Sequence, residues 1–190
     1  MNSKTSFFKK ALILKNFTRF WPAGLLYLVI LFFTCALPVY SLSVEDPYSR
    51  ATRILEIFDI AYHPVIVFLF AILSAILLMG YLYQARSCNM MHAFPLTREQ
   101  LFASSYLSGL LLLIVPQILI FLVTVPAAAA AVGTGHAGLY LAAGLMYAFI
   151  FYTSAVFCCM LAAHPLSALV YYLIFHSVFV IARGLFMGIQ

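Results

Sequence analysis

The sequence predicts an all-α protein, a polytopic membrane helix bundle of about five transmembrane helices with an interfacial helix at its N-terminus. Three observations predict it. Of 190 residues, 66% are hydrophobic and only 8% are charged, where a soluble domain carries about 25% charged residues to cover its water-facing surface. The apolar residues gather into blocks of about 20, the length that crosses the hydrocarbon core as a helix. Positive charge is concentrated at one set of block ends, which orients the blocks in a membrane.

Residues 1–20 carry Lys4, Lys9, Lys10, Lys15 and Arg19 with no acid. Phe7, Ala11, Leu14, Phe17 and Trp21 share one helical face, so this segment reads as a helix lying at the cytoplasmic interface. Trp21-Pro22 is expected to turn the chain into the bilayer. The long basic run and the lack of an A-x-A site argue for a retained anchor rather than a cleaved signal. Residues 21–190 form the transmembrane region.

The first span is expected over about 21–40. The connection 41–61 holds four of the five acids, Glu45, Asp46, Glu56 and Asp59, and reads as a solvated outer loop. Asp46-Pro47 marks a turn in it, and Ile54, Ile57 or Phe58, and Ala61 mark a short surface helix after the turn. A second span covers about 62–83 and a third about 101–125, where Pro116 is expected to kink the helix. Ser104/Ser108 and Ser105/Gly109 give that span small faces for close helix contact. Pro126, the alanine run and Gly133-Thr-Gly-His136 read as an uncharged outer turn. The fourth span covers about 139–163, with Gly144 and Ala148 as a further small pair. His164-Pro165 makes a short inner turn, and a fifth span takes about 166–181. With the N-terminus inside, seven Lys and Arg lie on the cytoplasmic side (4, 9, 10, 15, 19, 86, 98) and three outside (50, 53, 183), as the positive-inside rule requires.

The stretch between the second and third spans carries the most chemistry. Thr97 and Gln100 have capping-box spacing, Leu96 and Leu101 flank them as a hydrophobic staple, and Glu99 places an acid in the first turn, where the helix dipole favours it. A helix is therefore expected to begin at Arg98. Pro95 ends any helix before it.

Other chemistry is excluded by what the chain lacks. It contains no G-x-x-x-x-G-K-[ST], no H-E-x-x-H and no G-x-S-x-G, so nucleotide binding of the P-loop kind, zinc proteolysis and nucleophile-elbow hydrolysis are unsupported. No cofactor site is read in the chain, and it is not expected to be an enzyme. The cysteines at 35, 88, 158 and 159 lack ligand spacing, so no metal site is expected. The basic residues are dispersed, which is no nucleic-acid signal. No Asp, Glu, Lys or Arg falls inside a predicted span, which counts against proton- or ion-coupled carriage. His176 is the one titratable group near mid-span. It can line a polar path, or sit neutral and hydrogen-bonded at a helix interface.

The run Ala85-Arg-Ser-Cys-Asn-Met-Met-His-Ala-Phe-Pro-Leu-Thr-Arg-Glu-Gln-Leu-Phe102, followed by Tyr106-Leu-Ser-Gly-Leu110, resembles the first cytoplasmic loop of ABC-2-type transporter permeases of Gram-positive bacteria. The N-terminal run Phe7 to Pro22 is similar to how those permeases begin. The resemblance covers about Ser6 to Gly109. It implies a permease subunit of an ATP-driven transporter in the bacterial cell membrane, coupled to a separate ATPase subunit that binds the ATP. It also implies a second permease chain, identical or related. Arg86, Asn89, Met90, Met91, His92, Phe94, Arg98 and Glu99 are then the ATPase-coupling residues, and Thr97 to Phe102 pass the movement to the third span. Met90, Met91 and Phe94 would fill an apolar groove, which the adaptable thioether suits. The family has six spans as a rule, so the chain is expected to be a piece of a longer permease or else a five-span protein. A non-transporting sensor or assembly partner, packing against other helices and lipid, is the alternative.

Overall fold

The computed structural model describes residues 10–42, 46–83 and 97–188, and these are helical almost throughout. Helix α1 (Lys10–Leu31) contains Pro22 and runs through a π-helical turn (Phe32–Ala36) into α2 (Leu37–Ser41). The break expected at Trp21-Pro22 is therefore absent, and the described start of the N-terminal segment is the first turns of the spanning helix. Proline deletes one backbone donor, but in an apolar setting every other backbone group still has no partner except its own helix.

Helix α3 (Pro47–Ala61) replaces the expected solvated loop. Asp46 caps it, accepting from the Ser49 amide at 3.0 Å and the Ser49 hydroxyl at 2.8 Å, and Pro47 occupies the first turn, where a missing amide costs nothing. Ile54, Phe58 and Ala61 are fully buried against the bundle. Arg53 and Glu56 pair at 3.0 Å on the exposed side. The same residues that mark a surface helix in sequence thus form a lid packed on the chain's own helices.

A short break at Tyr62-His63 leads into α4 (Pro64–Met79), extended by a 3-10 turn (Gly80–Tyr83). His63 starts α4, its Nδ1 accepting from the Val65 amide at 3.3 Å. Helix α5 (Arg98–Val132) is 35 residues long and continues through both Pro116 and Pro126. The alanine run expected in a turn is its last part, because alanine is the best helix former. Only Gly133 reverses the chain, at φ +83, a conformation glycine alone adopts without cost. That one-residue turn starts α6 (Thr134–Leu161) five residues earlier than the predicted fourth span. After Ala162–His164, whose His164 Nδ1 accepts from the Leu166 amide at 3.2 Å, comes α7 (Pro165–Gly188).

Among the described residues, four helical stretches are long and apolar enough to cross a membrane: Ile13–Ser41, Tyr48–Tyr83, Arg98–Val132 and Thr134–Leu161. Pro165–Val178 is a shorter apolar helix. Helix α5 is the centre, packing against α1, α3, α4 and α6, while α7 packs on α6 and α4. Polarity is distributed as a membrane demands. Leu122, Met146 and Leu166 are more than 60% exposed, whereas Ser104, Ser105, Ser108, Gln117 and Thr124 are buried. Apolar side chains gain nothing by hiding from lipid, so the interior goes to small and polar groups that pack backbones closely and hydrogen-bond across helices. The chain is a membrane-embedded helix bundle.

Candidate functional site

The N-terminal end of α5 is built as its sequence demands. Thr97 Oγ1 accepts from the Gln100 amide at 3.3 Å, and the Thr97 carbonyl accepts from the Leu101 amide at 3.1 Å. The helix consequently begins at Arg98, with Glu99 in its first turn. Leu101 is buried, so the first turn is fixed by packing as well as by its cap. A cleft of about 500 Å3 lies beside it, lined by Tyr81 and Leu82 from the end of α4, Met160 from the end of α6, and Arg98, Glu99 and Phe102. Arg98 and Glu99 are exposed there. The other expected coupling residues, Arg86, Asn89, Met90, Met91, His92 and Phe94, lie outside the described residues, as does Leu96 of the expected staple.

Above this end, α5 presents one continuous buried stripe: Leu101, Ser104, Ser105, Ser108, Gly109, Leu112, Leu113, Pro116, Gln117, Ile120 and Thr124. The two small faces do what small residues do. A Cβ at Gly109 would run into the Tyr152 hydroxyl and would lie 2.6 Å from Leu78 Cδ1, so side chains of α4 and α6 pack directly onto the α5 backbone there. At Gly144 a Cβ would lie 2.7 Å from the Tyr62 ring and 3.2 Å from Gln117 Oε1.

Gln117 is the group that charge counting overlooks. It is fully buried, and its Nε2 donates to the Tyr27 hydroxyl of α1 at 2.8 Å. Its Oε1 has no partner, and neither has the buried Tyr62 hydroxyl. Thr124, two turns further along, donates to its own helix at Ile120 O, 2.9 Å, and its hydroxyl meets the buried Cys35 thiol of the π-helical turn. Two more buried oxygens, Ser104 Oγ and Tyr152 Oη, are likewise without hydrogen bonds. Helix α5 is thus lined along its length by polar groups with spare hydrogen-bonding capacity. The sequence carried a signal for this: Gln117 is the one amide side chain within any predicted span, and it lies seven residues from Thr124 on the same face. The aromatic partners Tyr27, Tyr62 and Tyr152 carry none, because tyrosines are common throughout the chain.

His176 is half-buried. Its Nδ1 lies 3.0 Å from the Tyr172 carbonyl one turn back, and the ring is packed by Phe68, Phe151 and Tyr172 with centroids at 4.9, 5.3 and 4.5 Å. The hydrogen bond is within its own helix, and α4 and α6 supply only aromatic faces. Within this chain the ring is therefore held by aromatic packing and by a hydrogen bond inside α7.

Outside the membrane-spanning helices, the two Ser49 donors hold the Asp46 carboxyl below its ordinary range. Among the described residues no group of three His, Cys, Asp or Glu side chains is placed to hold a metal ion. Cys35, Cys158 and Cys159 are buried free thiols. The described residues bring together a firmly started helix, a polar interior that it crosses, and close-packed neighbours. Comparison with protein-family models, with curated proteins and with solved structures finds no match.

Proposed function

We propose that the chain is the permease subunit of an ATP-driven ABC-2-type transporter in a bacterial cell membrane, moved by a separate ATPase that grips the cytoplasmic loop 85–102. The observation that carries the reading is the place of α5. It starts at the capped Thr97, immediately after that loop, and is the helix against which α1, α3, α4 and α6 all pack. A displacement at its first turn reaches most of the bundle at once. A frayed start would lose the displacement, and the cap together with buried Leu101 prevents fraying. The resemblance of 85–110 to the permease loop supplies the motor, because the chain has no P-loop of its own.

In this reading α7 is a fifth span, the N-terminus is cytoplasmic, and α3 covers the outer ends of the bundle. Arg86, Asn89, His92 and Arg98 make the polar contacts to the ATPase, while Met90, Met91 and Phe94 fill its groove. Two such chains, identical or related, flank the substrate path. A sensor or assembly partner would share the fold without the ATPase. Purification from native membranes in mild detergent separates the two. The wild-type chain is expected to bring a P-loop ATPase with it, and the double substitution Met90→Asp/Met91→Asp to insert normally and lose it. Equal recovery of the ATPase with both chains would remove the docking role from this loop.

A further inference from the structure

Between α1, α4 and α5 lies a cavity of about 10 Å3, lined by Ala23, Gly24, Tyr27, Ser74 and Leu112 among others. Its size matches the space one water molecule needs, which begins at about 10–15 Å3. Two features make it polar in an otherwise apolar layer. Pro116 has no amide proton, so the carbonyl four residues earlier, that of Leu112, loses its helical donor. This carbonyl faces α1, for a Cβ built on Gly24 would lie 3.6 Å from Leu112 O and 3.0 Å from Leu112 Cδ2. Ser74 is buried on the α4 wall, and its hydroxyl proton is engaged by the Ala71 carbonyl at 3.1 Å, leaving the oxygen free to accept. An alanine at position 24 would put its methyl beside the Leu112 carbonyl, so the glycine keeps the approach to it open.

We propose that this cavity binds one ordered water molecule, which donates one hydrogen to the Leu112 carbonyl and the other to Ser74 Oγ. The water takes over the bond that Pro116 deletes and ties α5 to α4 beside Gly24 of α1. Proline-freed carbonyls in membrane helices must find such a partner, because lipid offers none. A water-bridged step in the hydrogen-bond ladder bends more readily than an intact one. The consequence that α5 flexes at Pro116 rests on the proposed role of α5, whereas the water site stands without it.

Brief X-ray radiolysis in detergent, read by mass spectrometry, tests the site, since a bound water yields hydroxyl radicals that oxidise the side chains beside it. Tyr27 is only 1% exposed and lines the cavity, so bulk water does not reach it. Oxidation of Tyr27 in the wild-type chain is expected. It should fall several-fold in Pro116→Ala, which restores an amide donor to Leu112, and also in Ser74→Ala, which removes the second acceptor with little change in packing. Tyr27 left unmodified while the exposed Tyr48 is oxidised would overturn the proposal. So would labelling that neither substitution changes, or a high-resolution density map with no water between the Leu112 carbonyl and Ser74 Oγ. None of these readouts requires an ATPase, so the water site and the transport reading fail independently.

Discussion

At the scale of single residues, the energetics turn on Gln117. One donated hydrogen bond to Tyr27 partly offsets burying an amide whose Oε1 stays unpaired. A net buried hydrogen bond contributes about 0.5–1.5 kcal/mol, while a buried group left unpaired costs about 1–3 kcal/mol. The two terms predict an order. Tyr27→Phe strands the whole amide and is the most harmful, at about 1–3 kcal/mol. Gln117→Leu strands only one hydroxyl and costs less. The double substitution leaves neither group and recovers much of the loss. Reversible unfolding in mixed micelles reads this order, and Gln117→Leu proving the worst of the three would contradict it. A second residue-scale expectation concerns Asp46. Its carboxyl is held below the ordinary value, so its support for the start of α3 is complete above that ordinary value and is lost as pH falls through the depressed one. Hydrogen exchange at the amides of residues 49–51 should accelerate on acidification relative to the rest of α3. In Asp46→Asn, which keeps an acceptor and cannot titrate, that change should vanish.

At the scale of elements, helix contacts are set by where side chains are missing. Gly109 has the Tyr152 hydroxyl and Leu78 where a methyl would go, while Gly138, also within a helix, has nothing within 4 Å. Gly109→Ala must displace the buried Tyr152 ring and the Leu78 side chain and should cost about 1–3 kcal/mol, as overpacking does. Gly138→Ala should be neutral or stabilise by about 0.5–1 kcal/mol, because alanine loses less backbone freedom. Thermal unfolding followed by the tryptophan signal compares them, and equal effects would refute the packing argument. These elements also show what could be read from the chain. The start of α5 at Arg98 was legible because Thr97 and Gln100 encode a local interaction, and so were Ser104, Ser108, Gly109 and Gly144 as contact faces. The continuation of the helices through Trp21-Pro22 and Pro126 was not. Proline reads as a breaker in water, but the lipid-facing backbone has no alternative partner and the helix continues. The burial of Ile54 and Phe58 in α3 depended on distant residues such as Tyr140, whose ring lies 5.8 Å from that of Phe58. The polar interior was half legible: Gln117 stood out by type, while its partner Tyr27 is ninety residues away and set only by tertiary packing.

At the scale of the whole molecule, no Asp, Glu, Lys or Arg among the described residues is buried in the bundle, and the proposed transport role turns on what moves α5. The helix is joined to nearly every other element, and its N-terminal end is both capped and packed. Such a construction favours concerted displacement of the bundle over local fraying. The most direct measurement places a photo-crosslinking amino acid at position 91, in place of Met91, and irradiates intact cells before the crosslinked partner is identified by mass spectrometry. The account predicts a cytoplasmic P-loop ATPase as the dominant adduct. Crosslinking only to lipid, or to an extracytoplasmic protein, would contradict it.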